Sequence, residues 1–271
     1  MTHPTLLRVG NTLAFLLFFS SSIYNVAGPD AGDLGGVYAL HPTYLTPAPF
    51  TFAIWGLVYF MFAGFIVWQW FAEKSESDAV VVDGYGSYFI LAAVLTSVWH
   101  NLWTSNHLVL SEIILLFASA SITVIYHNLN AKPAHSAIEQ LFVHSPISLL
   151  HGFLVFVNWL NIFAIFTTVK DAHHPSVWHQ IAVFAILTKL TFTAMAYTEV
   201  KNYQHGDIAG AFAIVWSMIG VAVQQENKFI MITAAVGAAI SALYAFKPQV
   251  FKKNITNGEH QPLLGATDNQ V

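Results

Sequence analysis

The hydrophobic residues of this chain fall into long runs that are separated by short polar connections. A helix needs about 20 mostly apolar residues to cross roughly 30 Å of hydrocarbon, and eight runs approach that length. The connections carry turn residues such as Lys132-Pro133 and His174-Pro175, and none is long enough to hold a soluble domain. The pattern predicts an all-α integral membrane protein with about eight transmembrane helices. We place these helices at residues 7–27, 50–72, 86–105, 108–128, 146–168, 177–198, 208–224 and 229–246.

The composition supports a membrane location and excludes several other classes of protein. Hydrophobic residues make up 56% of the 271 residues and charged residues only 9%, whereas soluble domains carry about a quarter charged residues. A net charge of −4 from so few charges provides no basic surface for nucleic acid. Because the chain has no cysteine, it has no disulfides, thiolate metal sites or cysteine nucleophiles. Its unusual features are 13 histidines and 8 tryptophans.

The basic residues predict which ends of the helices face the cytoplasm. Lys and Arg in short loops accumulate on the cytoplasmic side of a membrane. With eight spans, only Lys170 and Lys228 lie on one side, whereas the side that holds both termini carries most of the others. We therefore expect both termini to be cytoplasmic. The basic residues on that side are Arg8, Lys74, Lys132, Lys201, Lys247, Lys252 and Lys253.

The two ends of the chain carry further signals. Arg8, an apolar run at 13–19 and small residues near 27 also fit a cleaved secretory signal, which would leave seven helices and an N-terminus outside the cytoplasm. Residues 251–271 are polar, and we expect them to form a disordered cytoplasmic tail. Within this tail, EHQPLL at 259–264 matches an acidic dileucine pattern, which in a eukaryote directs membrane proteins to a vacuolar or lysosomal membrane.

Three tryptophan-containing motifs occur in order along the first five runs. A proline-containing loop leads into the second run in LTPAPFTFAIWGLVY at 45–59, and WHNLW at 99–103 and WLNIFA at 159–164 follow in the third and fifth. In order and spacing these motifs resemble those of the TspO/MBR family, the tryptophan-rich sensory proteins related to the translocator protein. Leu45 stands where that family has tryptophan, and Ala48 separates the two prolines.

The resemblance covers about residues 5–168 and implies a five-helix core followed by three extra C-terminal helices. We divide the chain into a TspO/MBR-like transmembrane core at 1–168, additional transmembrane helices at 169–250 and the tail at 251–271. The resemblance also implies a helix bundle with a tryptophan-lined pocket for tetrapyrroles, sterols or other hydrophobic ligands. The residues that we expect to bind such a ligand are Pro47, Pro49, Trp55, Tyr59, His100, Asn101, Trp103, His151, Asn158, Trp159 and Asn161.

Polar side chains inside the predicted helices are further candidates for function, because they are costly to place in hydrocarbon. His151 and Asn158 belong to a polar stripe along the fifth run, which either hydrogen-bonds to neighbouring helices or lines a cavity. Glu112 and Lys189 are the clear charged residues inside the runs. Helix depth places Lys189 level with the stripe and His100 level with Glu112, which predicts a hydrogen bond or ion pair between the latter two.

Two loop segments are also candidates for function. Pro47 and Pro49 stiffen the chain before the second run, so this segment is either a lid over a pocket or simply the start of a helix. His173, His174 and His179 cluster near the sixth run. Their spacing matches no established ligand motif, and we therefore expect no metal site.

These observations support one leading hypothesis and one alternative. The leading hypothesis is a non-enzymatic, multi-pass membrane protein that binds or carries a tetrapyrrole-like or sterol-like molecule in a helix-lined pocket. The alternative is a proton-coupled secondary transporter in which His100, Glu112, His151 and Lys189 titrate. We expect no enzyme, because the sequence has no nucleophile–base pair at usable spacing and no phosphate loop. The expected partners are the lipid bilayer and the small molecule, a porphyrin-like ligand would be held non-covalently, and a homodimer remains open.

Overall fold

The fold of this chain is a bundle of long helices. A computed structural model describes residues 3–27, 40–167, 169, 174–200 and 207–256, and these residues form helices and no strands. Each of the eight predicted runs corresponds to one long helix. The helices are α1 (Pro4–Ala27), α2 (Ile54–Phe71), α3 (Tyr88–Thr104), α4 (Leu108–Asn130), α5 (Ser145–Phe166), α6 (Val177–Thr198), α7 (Ile208–Gln224) and α8 (Lys228–Thr256).

The lengths of these helices suit a membrane protein. Within the described ranges, six helical segments are long and apolar enough to cross a membrane. A seventh span forms if α3 is joined to the helical segment Lys74–Tyr85 that precedes it. α7 is a shorter apolar helix of 17 residues, at the lower end of the range of about 17–25 residues that can span hydrocarbon. The prediction of an all-α membrane fold is confirmed.

Short helical segments that were not predicted precede three of the long helices. A 3₁₀ turn at Pro49–Ala53 leads into α2, and Ala137–Glu139 with a π-helical turn at Gln140–His144 leads into α5. The segment Lys74–Tyr85 meets α3 at an angle of 51°. Gly86 lies at this bend with a φ of 53°, a left-handed conformation that glycine adopts without steric cost.

Aromatic and aliphatic side chains fill the interior, while other apolar side chains cover the outside. Trp99, Phe65 and Phe153 are almost completely buried in the core. On the outer surface, Phe71 is 85% exposed and Phe166 is 80% exposed. Large apolar side chains are stable in such positions when hydrocarbon rather than water surrounds the protein.

The three C-terminal helices dock onto the first five mainly through α7, which packs against α5, α6 and α8. A close approach of glycines allows the contact between α5 and α7. A Cβ atom on Gly152 would lie 3.0 Å from the Gly210 Cα atom and closer still to its carbonyl oxygen. Small residues permit such close packing between membrane helices. Gly206 and Gly210 have the four-residue spacing that is typical of helix packing in membranes, but Gly206 lies outside the described residues.

The first helix is bonded into the bundle. The Arg8 guanidinium lies 2.6 Å from the Asp78 carboxylate and donates to the Ser77 hydroxyl at 2.5 Å. The Asn11 amide donates to the Gln69 side chain on α2 at 3.2 Å. These contacts join α1 to α2 and to the segment Lys74–Tyr85.

The other end of the chain departs from the predicted boundary. The backbone of α8 remains helical through Thr256, whereas the sequence pattern placed the end of this helix near residue 246. The rest of the predicted tail, including the dileucine pattern at 259–264, lies outside the described residues. His173, Lys170 and Lys201 also lie outside them.

Candidate functional site

The segment of residues 40–53 covers one end of the bundle. The backbone amide of Ala48 donates to the Gly220 carbonyl at 2.9 Å, and the Gln225 amide donates to the Thr46 carbonyl at 2.7 Å. The indole of Trp216 donates to the Thr51 carbonyl at 2.9 Å. The partners of the segment lie in α7, at Trp216 and Gly220, or directly after it, at Gln225. The segment is therefore fixed to the last turns of α7.

Ring contacts extend this cover across the bundle. The His41 ring lies 4.8 Å from the Trp103 ring near the end of α3, and the Tyr44 ring lies 5.0 Å from the His179 ring near the start of α6. The end of α3, the start of α6 and the end of α7 thus meet at one face of the protein. This arrangement agrees with helices that cross a membrane in alternating directions.

The two predicted prolines have different positions within this segment. Pro47 is buried against α7, where its Cβ atom lies 3.0 Å from a Cβ built on Gly220. Pro49 is exposed and begins the 3₁₀ turn. Ala48, between them, has extended backbone (φ −60°, ψ 147°), as expected before a proline. The segment therefore both starts a helical turn and covers the end of the bundle.

An aromatic cluster lies at the start of α2, immediately after this segment. We call Phe18, Trp55, Tyr59 and Phe153 the Trp55 cluster. The Trp55 ring contacts Phe153 edge to face at 5.3 Å and Phe18 at 5.9 Å, and it stacks on Tyr59 at 6.1 Å. The four rings come from α1, α2 and α5. Edge-to-face and offset contacts of this kind are the preferred arrangements of aromatic pairs.

The polar groups of the Trp55 cluster differ in their bonding. The Tyr59 hydroxyl is hydrogen-bonded to the Ser22 hydroxyl on α1. The indole N–H of Trp55 is buried and has no hydrogen-bond partner in the described part of the chain. A buried donor without an acceptor costs about 1–3 kcal/mol, and most such donors in proteins are paired. The Trp55 N–H is therefore available to an acceptor on a bound molecule.

Asn161 is the centre of a second buried group. Its side-chain oxygen accepts from the Trp99 indole at 3.3 Å and from the Ser111 hydroxyl at 2.8 Å. Its amide donates to the Leu108 carbonyl at 3.3 Å. Asn161 thus joins α3, α4 and α5, and its hydrogen-bonding groups are engaged within the protein rather than directed at a ligand.

Glu112 lies beside the Asn161 side chain of this group. Its side chain is buried, and among the described residues neither carboxylate oxygen has a hydrogen bond of normal geometry. His100 is also buried, with its ring 5.4 Å from the Trp99 ring. The predicted bond between His100 and Glu112 is therefore wrong. Equal depth along two helices does not fix which face each side chain occupies, because successive residues point about 100° apart.

His151 belongs to a third group, on the face of α5 that carries the polar stripe. Its Nδ1 atom is hydrogen-bonded to the Tyr197 hydroxyl, and its Nε2 atom lies 3.0 Å from the Thr123 hydroxyl. The His151 ring stacks on the Tyr126 ring at 4.6 Å. These contacts join α4, α5 and α6, so this part of the polar stripe hydrogen-bonds to neighbouring helices.

Asp207 extends this third group to α7. Its carboxylate accepts from the Tyr126 hydroxyl at 2.7 Å and from the Ser148 hydroxyl on α5. It also accepts from the backbone amide of Gly210 at 3.1 Å, which caps the first turn of α7. One buried carboxylate therefore links α4, α5 and α7.

The remaining predicted residues lie elsewhere. Asn101 is exposed and donates to the Ser97 carbonyl of its own helix at 2.8 Å. The Asn158 amide donates to the Ser119 hydroxyl on α4 at 2.8 Å. Trp159 contacts Lys189 at the outer surface between α5 and α6. The predicted ligand-binding residues are thus distributed over several places rather than around one pocket.

Several residues of these groups were not identified from the sequence. Asp207 had a recognisable signal, because an aspartate directly before an apolar run is a typical helix cap. Phe18 and Ser22 are four residues apart and share one face of α1, which makes them neighbours but does not indicate which helix they contact. Tyr126 and Tyr197 carried no signal that separates them from other buried tyrosines.

These features define a polytopic α-helical membrane protein in which one end of the bundle is covered and an aromatic cluster lies beneath the cover. A family model described as TSPO-like protein matches residues 8–247. The chain belongs to this family, which confirms the resemblance, and the match extends through the three helices beyond the five-helix core. Comparisons with curated proteins and with solved structures gave no significant match.

Proposed function

We propose that this protein binds a tetrapyrrole-like or sterol-like molecule at the Trp55 cluster, beneath the segment of residues 40–53. The observation that carries this proposal is the buried Trp55 indole N–H, which has no acceptor among the residues that the structure describes. A carbonyl, hydroxyl or carboxylate oxygen of a ligand would accept from it. The role is binding or carrying, without chemical conversion.

The surroundings of this donor suit a rigid, ring-shaped molecule. Small-molecule sites are mostly apolar, with a few polar groups that fix the orientation of the ligand. The Trp55 cluster supplies flat aromatic faces on three helices, and the hydroxyl pair of Ser22 and Tyr59 lies at its edge. Because the rings touch one another in this structure, a ligand would bind by separating α1 from α2 and α5.

We expect Trp55→Phe to weaken binding of protoporphyrin IX about fivefold. The change keeps an aromatic ring but removes the indole N–H, and a hydrogen bond contributes about 1 kcal/mol, which is close to a factor of 5 in Kd. Absorbance titration of the porphyrin against the purified protein in lipid nanodiscs measures the change. Sterol and bilin probes extend the same titration to the other ligand classes.

Trp178→Phe is the matched control for this experiment. Trp178 is 79% exposed at the start of α6 and lies outside the cluster, so its replacement is expected to leave every Kd unchanged. Circular dichroism confirms that both variants are folded. Equal binding by wild type and Trp55→Phe for all three ligand classes contradicts the proposal.

The buried Glu112 carboxyl favours a second candidate function, proton-coupled transport. A buried carboxyl inside a membrane helix suits a group that takes up and releases protons. Glu112→Gln preserves the shape and removes the titratable group. We expect a pH gradient to drive porphyrin into liposomes with the wild type and not with Glu112→Gln, while equilibrium binding is unchanged. If the wild type gives no gradient-dependent uptake, this second candidate fails.

A further inference from the structure

The outward face of α6 carries a lysine far from either end of the helix. Lys189 lies 12 residues after Val177 and 9 residues before Thr198, which corresponds to ~18 Å and ~13 Å of helix. Its side chain is exposed on the outside of the bundle. In a membrane, this surface faces hydrocarbon rather than water.

The side chain of Lys189 does not turn toward the nearer end of its helix. Lysines close to a helix end extend toward the membrane surface, but side chains on a helix lean toward its N-terminus. For Lys189 this direction leads away from Thr198, the nearer end. The Nζ atom instead lies 5.0 Å from the centre of the Trp159 ring on α5. This cation–π contact holds the ammonium sideways at the surface between the two helices.

A groove surrounds this ammonium on α6. Its volume is about 620 Å³, and it is open toward the outside of the bundle. Its described lining is mostly apolar and contains no acidic residue; besides Lys189, the polar residues in it are Thr188 and Thr193, and the apolar ones are Phe184, Ala185, Phe192 and Ala196. Among the described residues, no ion pair involves Lys189.

A second copy of this chain does not supply the missing negative charge. The sequences of α1–α8 contain a single acidic residue, Glu112, and its side chain is 6% exposed. A facing copy would therefore bring no carboxylate to Lys189 within the membrane. An uncompensated charge at this depth costs several kcal/mol, so the anion is best sought in the lipid phase itself.

We propose that the groove on α6 binds a fatty acid, whose carboxylate pairs with the Lys189 ammonium and whose acyl chain lies along the Phe184 and Phe192 rings. The positive charge of Lys189 favours a ligand with a carboxylate, and the apolar lining of the groove favours a ligand with an acyl chain. A single acyl chain runs parallel to a membrane helix and fits a groove that one helix face provides. The site is separate from the Trp55 cluster.

Trp159 provides a local reporter for this site. Bromine atoms quench tryptophan fluorescence at short range, so dibromostearic acid in the groove quenches Trp159 beside Lys189. We expect saturable quenching of the wild-type protein in nanodiscs by the acid and much weaker quenching by its methyl ester. Lys189→Met keeps the length of the side chain but removes the charge, and we expect it to weaken binding of the acid at least tenfold. Lys189→Arg keeps the charge and should retain binding.

Two controls show whether the signal comes from this groove. Trp159→Phe should remove the saturable part of the quenching, because the reporter is lost. Porphyrin binding should be the same in Lys189→Met as in wild type, which separates this site from the proposed ligand site and confirms that the variant is folded.

Four results would overturn the proposal. The first is equal affinity of wild type and Lys189→Met for the acid, and the second is equal quenching by the acid and its ester. The third is saturable quenching that persists in Trp159→Phe. The fourth is a change in the mass of the protein particle on Lys189→Met, without any preference of the wild type for the acid over the ester. The last result would mean that another protein molecule covers the groove.

Discussion

Gly152→Ala is expected to destabilise the bundle by about 3 kcal/mol, because the added methyl group has no space between α5 and α7. A Cβ atom at this position would overlap the Gly210 carbonyl group and lie 3.0 Å from the Gly210 Cα atom. These are backbone atoms, which cannot turn aside as the end of a long side chain can. Overpacking of a tight contact typically costs about 1–3 kcal/mol, and here two whole helices would have to move apart. A fall in the melting temperature of the detergent-solubilised protein measures the effect.

Gly56→Ala is the matched control for this substitution. Gly56 is also inside a membrane helix, but a Cβ built there has no other atom within 4 Å. Alanine favours helix over glycine by roughly 0.5–1 kcal/mol, so this variant should match or slightly exceed wild-type stability. If both variants have the melting temperature of the wild type, α5 and α7 do not meet at Gly152 and Gly210.

The second large effect is expected for Asp207→Ala, which should destabilise the protein by at least about 3 kcal/mol. The change removes the cap of α7, which contributes about 1 kcal/mol. It also leaves the buried hydroxyls of Ser148 and Tyr126 without their acceptor, and each unpaired group costs about 1–3 kcal/mol. Asp207→Asn keeps one side-chain oxygen for Ser148 and Gly210 and should fall between alanine and the wild type. Unfolding in mixed detergent micelles measures all three.

Asp83→Ala is the matched control, because it shows how much stability the protein loses when an exposed carboxylate is removed. Asp83 forms an ion pair with Lys132 at 2.9 Å, but its side chain is 62% exposed. Exposed ion pairs contribute about 0–1 kcal/mol, so this variant should be nearly as stable as wild type. If Asp207→Ala lowers the stability of the protein as little as Asp83→Ala does, the buried group around Asp207 does not stabilise the bundle.

The helices were predictable because the membrane imposes a simple rule on the sequence. A spanning helix must satisfy its own backbone hydrogen bonds and be apolar for about 20 residues. Runs such as 108–128 and 177–198 meet this rule, and both correspond to observed helices. The segment Lys74–Tyr85 was missed because its charged residues remove the apolar pattern, although its backbone is helical.

The positions of the polar side chains were less predictable, because they depend on the rotation of each helix. Lys189 was predicted to be level with the polar stripe of the fifth helix, but its side chain is exposed on the outside of the bundle and contacts Trp159. Asn101 was expected in a pocket and is exposed. The hydropathy pattern of a membrane helix separates apolar from polar positions but does not distinguish a face toward lipid from a face toward apolar neighbours. Only the packing of all helices together determines this.

The position of the segment of residues 40–53 could not be derived from local sequence either. Its prolines indicated a stiff approach to α2, which the structure shows at Ala48. Its partners on α7, however, are more than 160 residues away in the chain, as in the bond from Trp216 to Thr51. Such contacts follow from how α7 docks onto the first five helices.

Photolabelling tests the central claim, that the Trp55 cluster holds the ligand, most directly. Photoreactive sterol and porphyrin probes are crosslinked to the wild-type protein in nanodiscs, with and without an excess of unlabelled ligand, and the labelled residues are mapped by mass spectrometry. We expect labelling that the unlabelled ligand suppresses at Phe18, Trp55, Tyr59 and Phe153, on α1, α2 and α5. Suppressible labelling confined to α6 and α8, or none at all, would contradict the account.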